Sequence, residues 1–326
     1  MSLIWTLGKI ALVIAAVPLV IALGLIASQR PGALPTGGLD FSAEAAKGAD
    51  DVTATPVAMR DGWAMPVRLL AGPENAPLLI LIHGSGWYGH QFARLGPVLA
   101  AGADVAIPDL RGHGTAPARR GDVDYVGQME DDLADLITAL RKPGQKVVLA
   151  GHSSGGGLVV RFAGGTHRAM MDGAVLLAPY LAYDAPVTRT QSGGWAHPLT
   201  RRIIGLSMLN GVGIRALDHL TAIQFAMPRA VLDGPLGQGA TTAYSWRLNR
   251  GFAPRRDYTA DVAALPPFLL LAGTKDEAFV AEGYAPLMTG VTAKGRYVMV
   301  PDTDHLGLVD APQTAAEIGA YLATFR

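Results

Sequence analysis

Val147-Val148-Leu149-Ala150-Gly151-His152-Ser153-Ser154-Gly155-Gly156-Gly157-Leu158-Val159-Val160 contains a change of backbone course that orders the remainder of the chain. Its first four apolar residues give a short buried-strand signal, and Leu158 to Val160 begin an apolar helix. Between them, Gly151-His152-Ser153-Ser154-Gly155 fits G-x-S-x-G, a sharp strand-to-helix turn that exposes its central serine. Such a turn holds the serine in strained backbone geometry and crowds its neighbours. The positions two before and two after therefore need residues without a β-carbon. Ser153 meets both conditions, whereas Ser154 has His152 two places before it. The pentapeptide alone also suits a glycine-rich turn with an incidental serine, so its chemistry depends on partners elsewhere.

A serine hydroxyl is a poor nucleophile at neutral pH and needs a base to take its proton and an acid group to orient that base. Of eight histidines, only His305 follows the last expected strand, in Pro301-Asp302-Thr303-Asp304-His305-Leu306-Gly307. The acid should follow an earlier strand at the same sheet edge. Asp276 in Leu271-Ala272-Gly273-Thr274-Lys275-Asp276 does so, with Asp302, Asp304 and Glu277 as rivals. Acyl transfer also requires donors for a developing oxyanion, usually backbone N–H groups. Ser154, just after the nucleophile, is one candidate. Ser85 in His83-Gly84-Ser85-Gly86-Trp87 is the other, and His83 itself reads as structural. Trp87 and Tyr88 beside this loop are candidate substrate-binding residues.

Strands alternate with helices on either side of the serine turn. A hairpin is expected from Thr55 to Leu70 around Asp61-Gly62, followed by buried strands at Leu78 to Ile82 and Asp104 to Pro108 with a helix at Gln91 to Ala101 between them. Met129, Leu133, Leu136, Ile137 and Leu140 form one face of a helix that begins with acidic residues and stops at Pro143-Gly144. Later strands are expected at Ala174 to Leu177, Phe268 to Leu271 and Tyr297 to Val300, a helical stretch near Ala278 to Met288, and a final helix from Ala311. This alternation implies a mostly parallel sheet covered on both faces. The expected core spans residues 55–180 and 266–326. The 85 residues 181–265 are far longer than a usual connection and carry enough large apolar residues to fold as a lid.

The amino terminus reads differently. Ile10 to Ala27 is an 18-residue stretch without charge, long enough to cross most of a bilayer core. Residues 1–28 are therefore expected to be a transmembrane anchor, or a signal sequence, with the catalytic domain outside the cytoplasm. Residues 29–54, rich in Gly, Pro, Ala and Asp, are expected to be a flexible tether. Lys+Arg and Asp+Glu are balanced at 27 each, which argues against a nucleic-acid partner. Cysteine is absent, which removes disulfides and thiolate chemistry.

Together, His83-Gly84-Ser85-Gly86, Asp109-Leu110-Arg111-Gly112-His113-Gly114, Gly151-His152-Ser153-Ser154-Gly155, Asp276 and His305 resemble the α/β-hydrolase superfamily. Within it, the D-x-R-G-H-G segment and the lid position resemble the monoacylglycerol lipase and lysophospholipase branch. The likeness covers Thr55 to Arg326. It implies an eight-stranded sheet and a serine hydrolase of esters or amides, acting through an acyl-enzyme without metal or cofactor. The insertion shows no family motif, and Ser154 stands where an apolar residue is common. The apolar insertion, Trp87, Tyr88 and the expected membrane segment point to a lipid ester, such as a monoacylglycerol or lysophospholipid.

Other readings stay open. A small-ester esterase, an acyltransferase or a peptidase would use the same groups; Asp218 and Asp233 could hold a peptide's amino terminus. A binding protein on the same fold should have lost a catalytic group. Gly84-Ser85-Gly86-Trp87-Tyr88-Gly89 also matches G-x-G-x-x-G after a strand, with Asp109 20 residues beyond. That is the pattern of a nicotinamide-dependent oxidoreductase, although Trp87 and Tyr88 would crowd its phosphate site.

Overall fold

The computed structural model describes residues 2–34, 38–48 and 52–326. The first six strands are β1 (Ala54–Ala58), β2 (Ala64–Leu70), β3 (Leu78–Ile82), β4 (Asp104–Pro108), β5 (Val147–His152) and β6 (Gly173–Leu177). An insertion then contributes β7 (Ala196–Pro198), β8 (Thr221–Phe225) and β9 (Ala243–Ser245), before β10 (Phe268–Gly273) and β11 (Gly295–Val300). The main sheet has eight strands in the order β1-β2-β4-β3-β5-β6-β10-β11. Pairing is antiparallel for β1 with β2 and for β2 with β4, and parallel across the rest.

Every residue of β3, β5, β6 and β10 is buried, as unbroken apolar runs demand when helices cover both faces of a sheet. The helix Gln128–Leu140 turns Met129, Leu133, Leu136 and Ile137 inward and carries Glu130 and Asp131 in its first turn, where negative charge complements the helix dipole. Parallel register sets Ile82 beside Gly151 and His152 beside Leu177, so Ser153 emerges at the carboxyl edge of the sheet. Gly273 likewise pairs with Val300, which brings the segments carrying Asp276 and His305 to that same edge.

The insertion folds as a three-stranded antiparallel sheet, β7-β8-β9, with the helix Thr200–Gly211. Trp195, Phe225, Met227 and Phe252 join the main core. Leu206, Leu209, Ala222 and Trp246 instead form a second, small core with Ala22 and Ile26 of the amino-terminal helix Ser2–Ala27.

That helix corrects the expectation of a membrane segment. Among the described residues, no helix is long and apolar enough to cross a membrane. The charged Lys9 lies within Ser2–Ala27, and its last turns are taken up by protein contact. A β-carbon at Gly205 would stand 2.5 Å from the Ala22 carbonyl oxygen and 2.8 Å from Ile26 Cγ1, so the two helices meet at their backbones. Ala22 and Ile26 are buried in this contact, while Val17, Leu19, Val20, Ile21 and Leu23 stay exposed.

The following segment is anchored as well. Gln224 bonds both the N–H and the C=O of Gly32 at 3.0 Å, and Leu39 and Phe41 are buried in the main core. The buried Lys47 ammonium lies between Glu44 (2.7 Å) and Asp310 (3.0 Å). Burial pushes the Glu44 carboxyl up from 4.5 to about 7 despite the attraction of Lys47. A carboxyl raised in the folded state binds its proton more tightly there than in the unfolded chain. Its contribution therefore favours folding below pH 4.5 and is lost as pH rises to about 7. Denaturant titrations across this interval should show that Glu44→Gln removes that part of the pH slope, while the wild type loses stability.

Candidate active site

Ser153 follows β5 directly and adopts φ 53°, ψ −118°, a conformation few side-chain-bearing residues accept. Its neighbours hold it there. A β-carbon at Gly151 would lie 2.3 Å from the Gly155 backbone, and one at Gly155 would lie 2.2 Å from the Ile82 carbonyl oxygen. The Ser153 N–H donates to the Leu177 carbonyl at 2.9 Å, and its own carbonyl accepts from Tyr180 N–H at 2.9 Å.

His305 and Asp276 meet beside it. The His305 Nδ1–H donates to Asp276 Oδ2 at 2.9 Å, because a carboxylate oxygen in that position accepts. Asp276 Oδ1 takes the N–H groups of Ala278 and Phe279, both at 2.8 Å, which fixes the carboxylate. The three rival acids have other partners. Glu277 accepts the His305 backbone N–H at 2.9 Å, Asp304 accepts Gly307 N–H at 2.6 Å, and Asp302 pairs at the surface with Lys275. Burial disfavours the imidazolium of His305, but the charge and hydrogen bond of Asp276 outweigh it, so the pKa lies above the ordinary 6.5.

His152 supports this arrangement from behind. Its Nε2–H donates to the His305 carbonyl at 2.9 Å, and its Nδ1 accepts from Gln91 Nε2 at 3.0 Å. Burial holds its pKa well below 6.5, so it stays neutral and keeps one donor and one acceptor.

Ser153 and His305 line a cavity of about 10 Å³, room for about one water molecule. Gly84, Ser85 and Trp87 form one wall, Trp195 of the insertion another, and Leu39 with Phe41 a third. The Phe41 ring lies 5.7 Å from that of Trp87 and 5.2 Å from that of Trp195. Neither the Ser85 nor the Ser154 N–H has a hydrogen-bond partner among the described residues. Tyr88 does not line the cavity. Its ring stacks on His90 at 5.6 Å, lies 5.8 Å from the Arg68 guanidinium and closely abuts Gly239.

The oxidoreductase pattern is overturned by what its residues do. Asp109 Oδ1 accepts from Gly89 N–H and from Arg68, both at 2.8 Å, so its carboxylate is engaged inside the protein. Gly89 opens a 3₁₀ turn of four residues, Gly89–Phe92, and no long helix begins there to receive a pyrophosphate. Among the described residues, no group of three or more His, Cys, Asp or Glu gathers to hold a metal.

Reading the sequence missed Leu39, Phe41, Gln91 and Trp195 as parts of this site. The only signal for the first two was an apolar pair in a stretch of Gly, Pro and Ala. Trp195 counted only among the large apolar residues of the insertion, and Gln91 carried no signal.

A strained serine turn at the centre of an eight-stranded sheet, with an acid and a histidine after later strands, defines the α/β-hydrolase class. The profile of the Alpha/beta hydrolase family matches residues 79–318, and the chain belongs to that family. It is 34% identical over 103 residues to the magnesium-chelatase 30 kDa subunit of Rhodobacter capsulatus, covering 32% of this chain and 34% of that protein. It is 33% identical over 96 residues to the AB hydrolase superfamily protein YfhM of Bacillus subtilis, covering 28% and 32%. The chain thus spans about a third of the length of these curated relatives.

Among solved structures, the Paleococcus ferrophilus monoacylglycerol lipase shares the fold with a TM-score of 0.60 at 21% identity, covering 80% of this chain and 99% of that one. A soluble variant of Saccharomyces cerevisiae monoglyceride lipase gives 0.62 at 16% identity, covering 85% and 97%. A thermophilic esterase from Thermogutta terrifontis gives 0.56 at 22% identity, covering 85% and 99%.

A histidine base must be neutral to accept a proton, so if His305 serves as one, kcat/KM on an ester should rise with pH through an apparent pKa above 6.5. Asp276→Asn should lower that pKa and reduce the rate by roughly 10⁴-fold. A pH–rate series on both proteins measures the two effects.

Proposed function

We propose that the chain is a serine hydrolase of carboxylic esters. The observation that carries this is a buried His305, bonded to Asp276 and lining one cavity with a serine held in strained geometry. In the first half-reaction, His305 Nε2 takes the Ser153 proton while Oγ attacks the ester carbonyl. The N–H groups of Ser85 and Ser154 receive the oxyanion, and Asp276 stabilises the imidazolium. His305 then protonates the leaving alcohol. In the second half, a water molecule gives its proton to His305 and attacks the acyl-enzyme, releasing the acid and restoring Ser153.

The walls contributed by Leu39, Phe41, Trp87, Trp195 and Leu306 favour an uncharged, apolar acyl group. The lipid-ester reading rests on these walls and on the fold shared with the monoacylglycerol lipases. Residues 181–265 would be its lid, since Trp195 of that segment forms a wall of the cavity beside Ser153. A peptidase reading gains no support: Asp218 bonds Asn210 at 2.6 Å, Asp233 is at the surface near Arg229, and neither lines the cavity.

A fluorophosphonate probe should label the wild type, and Ser153→Ala should lose both labelling and nitrophenyl-ester hydrolysis. Equal labelling of the variant would remove this function. Rates on esters of increasing acyl length, compared with aminoacyl amides, would then place the substrate.

A further inference from the structure

We propose that Tyr244, carried by β9 of the insertion, is a positioning residue that locks the oxyanion loop together with Gln91, so that hydrolysis depends on the insertion being docked. The inference rests on the function proposed above.

The loop Gly84-Ser85-Gly86 has glycine on both sides of the residue whose N–H would receive the oxyanion. Gly86 lies at φ +77°, and a backbone of this composition has little stiffness of its own. Two buried side chains supply it. Gly84 N–H donates to Gln91 Oε1 at 2.9 Å, and Gly86 N–H donates to the Tyr244 hydroxyl at 2.7 Å. With both neighbouring amides held, the Ser85 N–H is the one amide of the three without a partner among the described residues.

The direction of each proton follows from the partners. The Tyr244 oxygen accepts from Gly86, so its O–H is free to donate to His113 Nε2 at 2.7 Å. His113 can accept there because its Nδ1–H donates to the Arg111 carbonyl at 3.0 Å. Burial also keeps this imidazole neutral. On the other side, Gln91 passes the constraint to His152 and through it to the His305 carbonyl. The loop and the histidine backbone are therefore held by one connected network, closed at its far end by a residue of the insertion.

A second contact repeats the pattern. Trp195 Nε1–H donates to Ser85 Oγ at 3.1 Å, and a β-carbon at Gly86 would stand 2.8 Å from Trp195 Cζ2. Tyr244 does not line the cavity, so it acts through the loop rather than on substrate. Preorganised donors lose their effect when displaced, and a misplacement of about 1 Å can cost roughly 100-fold in rate.

The test uses the full chain and a nitrophenyl ester. Tyr244→Phe should lower kcat by roughly 10- to 100-fold and leave KM within about threefold. Affinity for a trifluoromethyl ketone, whose serine adduct carries the oxyanion, should weaken by the same factor as kcat/KM, whereas affinity for the product alcohol should not change. Phe225→Leu, which alters packing 4.7 Å from the Tyr244 ring but keeps the hydroxyl, should retain kcat within about threefold.

A folded Tyr244→Phe protein with kcat and ketone affinity near wild type overturns the proposal. If that variant does not fold, Gln91→Met carries the same two readouts, and unchanged values there overturn it equally. Ser153→Ala separates the two levels. An inactive Ser153→Ala beside a fully active Tyr244→Phe removes only this inference, while an active Ser153→Ala removes the function beneath it.

Discussion

The structure depends on one close approach of backbone to backbone. At Gly155 the helix Ser154–Ala163 comes so near β3 that a single added carbon would overlap the Ile82 carbonyl, and Gly151 sets the same limit against Gly155. This contact bends the chain abruptly enough to lift Ser153 out of β5. The resulting strain is opposed by ordinary forces: the hydrogen bond that Ser153 N–H donates to Leu177, the one its carbonyl accepts from Tyr180, and the fully buried residues of β5 beneath it. Placement of Ser153 against the cavity is thus a consequence of how the whole central sheet packs.

Around that point the interior is polar, and its polarity is closed on itself. The Asp276 carboxylate accepts from two backbone amides and one imidazole, and the His305 backbone is held at its N–H by Glu277 and at its carbonyl by His152. Gln91 extends this set to the loop at Gly84. Buried groups are tolerated when they find partners, and a network of mutually bonded groups favours a single geometry. Asp109, the acid of the G-x-G-x-x-G pattern, is likewise engaged inside the protein, by Arg68 and Gly89.

Much of this was legible in the residues. LLILI at Leu78–Ile82 and the run Asp104–Pro108 became β3 and β4 at their expected bounds, because continuous apolar character in a short segment leaves little choice. The periodic face from Met129 to Ile137 likewise became a buried helix stripe. The expected helix over Gln91 to Ala101 appears instead as two pieces, Gly89–Phe92 and Leu95–Leu99. Elements of the insertion were not legible, since β7 and β9 have three residues each and no periodicity develops over so short a length. The amino-terminal run reads as a membrane segment because it is apolar on every side; its last turns meet the insertion at Gly205, and its other apolar side chains, such as Val20 and Ile21, are exposed. Phe41 and Leu39 were invisible as cavity residues because only tertiary folding brings them there.

Those two side chains divide labour within the molecule. Leu39 and Phe41 belong to chain that precedes residues 79–318, the region matched by the family, yet they close one side of the chamber around Ser153. The positions of Ser153, Asp276 and His305 are set by the sheet, whereas part of the cavity wall comes from a segment outside it. On the proposed function, substitutions at Leu39 and Phe41 would reshape what the cavity accepts while leaving those three residues on their own supports, so chemistry and taste could evolve at separate rates.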